Sequence, residues 1–143
     1  MKKYPGITVL PVHYGKSNLS LAASQVGAEL TAHPNLAGVF GANDASALGA
    51  GEAVHGAGRK IVVIAYDADP DEVKNLKSGL FDILIAQHPY DEGIILMQEI
   101  NDYFHGKKSA IKPMTRTPVT VVTRANMNDP SVEGYLYGVS NPR

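Results

Sequence analysis

Three short apolar runs in this chain each end in a side chain able to bind hydroxyl groups. AGVFGA (37–42) is followed by Asn43, KIVVIAY (60–66) by Asp67, and DILIAQ (82–87) ends on Gln87. Asn and Gln offer both a donor and an acceptor, and Asp offers charged acceptor oxygens. That inventory suits a neutral polyhydroxylated ligand, because a hydroxyl both donates and accepts and a carboxylate can take protons from two neighbouring hydroxyls. The set contains no Arg or Lys, so a sugar fits it better than a phosphate. Simpler roles compete at each position. Asp44 reads as the N-cap of an alanine-rich helix, 67–69 as a turn, and Gln87, ahead of His88 and Pro89, as the end of a strand.

Catalytic chemistry has little support. His13, His33, His55, His88 and His105 show no close metal-ligand spacing and read as surface or loop residues. Ser17, Ser20, Ser24 and Ser46 stand outside any G-x-S-x-G elbow. Gly49 and Gly51 fall within a predicted helix and not directly after a strand, so they fail the context that a dinucleotide loop needs. Asp67 and Asp69 lack a phosphate-handling lysine at a strand end, which argues against a receiver-like or phosphatase-like site. The expectation is a binding protein with no catalytic residue, metal or cofactor.

The elements that position these residues follow from the pattern. Near-continuous apolar runs at 7–12, 37–42, 60–66, 82–87 and 117–123 predict strands buried on both faces of a mostly parallel sheet. Segments of helical period lie at 17–33, 44–55 and 91–104. Between the third and fourth runs, Asp69 can cap a helix that Pro70 opens, Asp71 and Glu72 follow, lysines come late, and Gly79 closes it. Strands alternating with helices give an α/β class in three α-β-α layers. In such sheets ligands collect outside the carboxyl ends of the strands, which places Asn43, Asp67 and Gln87 on one rim.

Composition sets the outer limits. The 143 residues, 44% hydrophobic, suffice for one domain with its own core. Thirteen basic against fourteen acidic residues leave a net charge of −1, which gives no footprint for nucleic acid or an anionic membrane. Cysteine is absent, so disulfides and thiolate chemistry are excluded. The opening MKKYPGITVLPVHYG carries only a short apolar run broken by prolines and lacks the long apolar core of a secretory signal. Asn, Pro and Gly from about residue 126 mark the tail 126–143 as the segment expected to be loose.

The ordered series AHPNLAGVFGANDASALGA, KIVVIAYDADPDEVKNLKSGLFDILIAQHPYDEG and VTVVTRANM resembles the C-terminal half of the ribose-binding-protein-like, type I periplasmic sugar-binding proteins of ABC transporters. The resemblance runs from about Pro5 to Met127 and implies a C-terminal sugar-binding lobe over 5–125. By that likeness Asn43, Asp67 and Gln87 contact the hydroxyls of a monosaccharide, the working location is periplasmic, and an ABC membrane permease is the partner. Ser17 stands where the family carries an aromatic ring that stacks on the sugar, and Tyr14 is the nearby ring. These two complete the candidate ligand set.

The resemblance implies that the chain lacks the family's first lobe and the opening strand and helix of the second, and that the helix at about 90–105 is one that packs on the first lobe. Its uncovered apolar stripe and an unpaired sheet edge imply a homo-oligomer or a domain-swapped dimer. With two-lobe closure impossible, affinity for sugar is expected to be weak. The alternative is the effector-binding core of a lactose-repressor-family regulator, which shares the fold.

Overall fold

The computed structural model describes residues 3–138. The elements run α1 (Leu19–Ala32), β1 (Gly38–Gly41), α2 (Asp44–Gly56), β2 (Val62–Tyr66), α3 (Pro70–Ser78), β3 (Ile83–Gln87), α4 (Pro89–Phe104), β4 (Val119–Thr123) and α5 (Pro130–Glu133), with a 3-10 turn at Lys108–Ala110. The sheet order is β1-β2-β3-β4. The first three strands are parallel, and β4 runs antiparallel to β3. The α/β class and the mostly parallel sheet are those expected.

One face of the sheet makes the core. Val63, Ala65, Leu84, Ala86 and Val122 are buried there against Ala47 and Val54 of α2, Leu76 of α3, and Phe81. The strands alternate strictly: β2 buries Val63 and Ala65 while Val62, Ile64 and Tyr66 stay partly or fully exposed. Burial on both faces, expected from the continuous apolar runs, is therefore not seen. The apolar residues of the second face are present, but Phe40, Val62, Val119 and Val121 remain exposed because too little of the chain lies over them. α1 packs mainly on α2, and its Leu30 joins the same core.

The run 7–12 forms no strand, and Ile7, Val9 and Val12 are exposed. β-propensity describes how well a side chain fits a pleated surface beside a paired neighbour. Among the described residues no strand adjoins β1 on its outer side, so the segment has nothing to pair with.

α3 is built as its sequence implies. Asp69 Oδ1 accepts from Asp71 N and Glu72 N, both at 2.9 Å, and Gly79 closes the helix at a φ of 89°. Two arginines tie loops to the body. Arg59 donates to the carbonyls of Leu30, Pro34 and Leu36. Arg124 donates to Phe81 O at 2.6 Å and to Asp82 Oδ1 at 2.9 Å.

The segment from 126 onward is not loose over its described part. Met127, Val132 and Leu136 are core residues, and Tyr137 N donates to Ala68 O at 2.9 Å. Its Asn, Pro and Gly make turns and the short α5, capped by Asp129, rather than a free tail. Residues 139–143 of that predicted tail lie outside the described residues.

Candidate functional site at the strand ends

Parallel register brings the expected residues to one rim. Gly41 pairs with Ala65 and Tyr66 with Ile85, so Asn43, Asp67 and Gln87 all emerge at the carboxyl ends of β1, β2 and β3. Gln87 Nε2 donates to Asp67 Oδ1 at 2.6 Å, joining two of them directly. Asn43 Nδ2 donates to Ser17 Oγ at 2.7 Å, which places Ser17 beside the third. Tyr14 stays apart. It is exposed, and among the described residues no hydrogen bond or ring contact links its side chain to the rim.

Asn43, not Asp44, caps α2. Its φ and ψ of −160° and 167° are extended, and its Oδ1 accepts from Ser46 N at 3.0 Å. Asp44 falls one residue inside the helix, where its charge meets the positive end of the dipole. Sequence alone favoured Asp44 because both residues are good caps, and only the backbone conformation separates them. Capping and the bond to Ser17 leave the Asn43 amide rigidly held.

Backbone strain collects at the same place. Asp67 has a φ of 117°, and Lys16 and Ser17 have φ values of 52° and 51°. Non-glycine residues tolerate such values only when their surroundings fix them, and they gather at ligand sites. The surroundings of Asp67 include a residue that sequence reading passed over. Tyr137 Oη donates to Asp67 Oδ1 at 3.0 Å and accepts from Gln87 N at 3.2 Å. Next to it, the ring of Tyr135 stacks on His88 with centroids 3.7 Å apart. His88 is buried and is hydrogen-bonded to Asp91 and Thr120. It is thus neither a surface residue nor an idle loop residue, a correction that follows from the aromatic cover supplied by the C-terminal segment.

The rim is acidic. Burial, and then the charges of Asp69, Asp71 and Asp67, raise the Asp44 carboxyl above its usual range. Glu72 lies fully buried beneath it, and its Oε1 has no hydrogen-bond partner. Burial and the neighbouring charges of Asp69, Asp67 and Asp44 push Glu72 up to about 8, against the pull of its hydrogen bond from Asp69 N. Glu72 therefore carries a proton at neutral pH, which limits charge repulsion at the rim. Among the described residues no three acidic or histidine side chains form a metal-binding group. The rim can accept and donate hydrogen bonds to neutral hydroxyls, and it repels anions.

A hollow of the molecule lies elsewhere. An open groove of about 640 Å3 runs along α4, lined by Pro89, Tyr90, Ile94 and Met97 among others. Asn43, Asp67 and Gln87 do not line it, and its few polar groups, Tyr90, Gln98 and Asn101, carry no charge to strengthen a bond to a hydroxyl as Asp67 does. The rim is favoured on its chemistry.

Comparison with known proteins agrees with this architecture. Residues 1–108 match the family described as periplasmic binding protein domain. The chain belongs to that family. It is 37% identical over 79 residues to the ribose import binding protein RbsB of Bacillus subtilis, an alignment covering 55% of this chain and 26% of that protein. A solute-binding protein of an ABC transporter from Agrobacterium vitis, solved with α-D-tagatopyranose, is 42% identical, with a TM-score of 0.78 over 96% of this chain and 46% of its own. A carbohydrate transporter solute-binding protein from Agrobacterium radiobacter, solved with D-arabinose, is 31% identical, with a TM-score of 0.75 over 94% and 45%. The chain thus spans about a quarter of the aligned curated relative and just under half of these solved structures. These relatives are binding proteins of sugar transport, and the family is not one of enzymes.

Proposed function

We propose that this chain is the sugar-contacting lobe of a solute-binding component of an ABC-type transporter, working in the periplasm and delivering a monosaccharide to a membrane permease. The observation that carries the reading is the direct Gln87–Asp67 hydrogen bond at the rim that also presents Asn43, in a chain of the periplasmic binding protein family. A sugar hydroxyl donates to the Asp67 carboxylate, whose charge makes that bond stronger than a neutral one. Gln87 and Asn43 orient neighbouring hydroxyls, and Ser17 contributes through Asn43. Ribose import binding proteins are among the curated relatives matched, which favours this reading over a regulator's effector core.

A single lobe contacts one side of the sugar, so affinity in the millimolar range is expected. NMR titration with D-ribose, D-tagatose and D-arabinose reads binding that weak, and Asp67→Ala and Asn43→Ala are the controls. Saturable binding of at least one sugar that is lost in both variants supports the reading. Binding unaffected by either substitution contradicts it.

We further propose that the chain self-associates. α4 buries none of its residues, Leu96, Met97 and Phe104 are exposed, and among the described residues the outer edge of β1 is unpaired. A second copy covering the α4 face and pairing along β1 removes both liabilities. Light scattering after size exclusion tests this, and a well-folded monomer at micromolar concentration counts against it.

A further inference from the structure

The bonding of Asp67 is lopsided. A carboxylate oxygen has two lone-pair directions, and both on Oδ1 are taken: Gln87 Nε2 donates at 2.6 Å and Tyr137 Oη at 3.0 Å. Oδ2 accepts no hydrogen bond from the described residues and is not among their buried unpartnered atoms. It is the oxygen not sealed from solvent. Tyr137 is itself fixed from several sides. Its phenol oxygen accepts from Gln87 N at 3.2 Å. Its own N–H donates to Ala68 O at 2.9 Å, and the neighbouring Leu136 is buried in the core. Its phenol therefore bridges the backbone of β3 and the side chain after β2, although Asp67 lies 70 residues away along the chain.

From this geometry we infer that Tyr137 is a positioning residue of the sugar site, holding Asp67 Oδ1 so that Oδ2 alone meets the ligand. The inference rests on the reading that Asp67 contacts sugar, and it adds a specificity. With Oδ1 occupied, two adjacent hydroxyls cannot chelate the carboxylate through both oxygens. The favoured ligand delivers one hydroxyl, or two converging on one oxygen, to Oδ2. The positive φ of Asp67 fits the same arrangement, since a strained residue keeps its conformation only while such contacts hold it. The C-terminal segment is on this view part of the binding site and not an appendage to it.

Two measurements on the chain test the inference. The first needs no ligand. Burial, the hydrogen bond to Asp67 and the Asp67 charge all raise the Tyr137 phenol above the ordinary tyrosine range. Asp67→Asn removes the charge, so the Tyr137 ring carbon resonance should titrate at lower pH than in the unsubstituted chain. An unchanged titration overturns the inference whether or not sugar binds. The second is a double-mutant cycle read by NMR titration with D-tagatose, comparing Tyr137→Phe, Asp67→Asn and the pair. Tyr137→Phe should weaken binding about tenfold, the scale of one hydrogen bond to a charged group. In the Asp67→Asn background it should cost less than about twofold, because the group it positions is already lost.

Equal losses in both backgrounds mean that Tyr137 acts only on general stability, and they overturn the positioning role. No loss in either background overturns it as well, while a loss on Asp67→Asn alone leaves the receptor reading standing. If the unsubstituted chain binds none of the three sugars, the receptor reading fails and the specificity fails with it, whatever the phenol titration shows.

Discussion

The strand-end rim and the outer face of α4 are opposites in how they satisfy themselves. At the rim the polar side chains hold one another: Asn43 holds Ser17 and the start of α2, and Asp67 is gripped by Gln87 and Tyr137. Along α4 the apolar side chains have almost no partners, and no residue of the helix is buried. Hydrogen bonding is local and directional, so a rim can be completed by the loops that form it. Apolar burial needs area, and α4 has too little of the chain beside it. The rim is consequently organised before any ligand arrives, whereas the α4 face is left exposed.

Substitutions that crowd the rim from below should do the most damage. Gly41 ends β1 against the first turn of α2, and a Cβ there would press into the backbone of Ala47. Gly41→Ala should lower stability by about 3 kcal/mol in chemical denaturation, because backbone cannot yield as a side-chain tip can. A loss below about 1 kcal/mol would show that the rim is less rigid than its bonding implies.

The acidic underside gives the next largest effect, and its sign is set by the direction of the shift. Folding raises Glu72 from an ordinary 4.5 to about 8. The folded state therefore binds the extra proton between those limits, and stability falls as pH rises from about 4.5 through 8. Glu72→Gln replaces the protonated acid by a neutral group of the same shape. It should stabilise the chain by on the order of 2 kcal/mol at pH 9 and change little at pH 4, with the dependence across the window flattened. Asp44, also raised, contributes a remaining slope of the same sign. Thermal melts at the two pH values check this.

The smallest effect on folding belongs to α4. Met97→Lys with Ile100→Lys alters exposed positions and should change the stability of a monomeric unit by no more than about 0.5 kcal/mol. The same pair should abolish self-association in light scattering. A large loss of stability would mean that α4 packs on its own chain more than its exposure indicates.

How far the sequence revealed these two regions depends on the range of the interactions. α3 was legible almost to the residue because Asp69, Pro70, Glu72 and Gly79 act within one helix. Asn43, Asp67 and Gln87 were legible as a rim because parallel strands carry their ends to one side. The one-residue shift of the cap from Asp44 to Asn43 turns on backbone angles that two equally suitable caps do not specify. The failure of 7–12 to form a strand depends on a missing neighbour, a fact external to the segment. Tyr137 was illegible because its partner lies 70 residues away and its local setting of Gly, Asn and Pro is that of a turn. Its only signal was an aromatic pair, Tyr135 and Tyr137, at alternate positions after a helix capped by Asp129.

The central claim is that residues on three separate strand ends act as one sugar-facing surface. Backbone amide shifts mapped during titration with D-tagatose test it most directly. The account predicts saturable changes clustered at 17, 43, 67, 87 and 137, with none along 94–104. Changes confined to α4, or scattered without saturation, would contradict it.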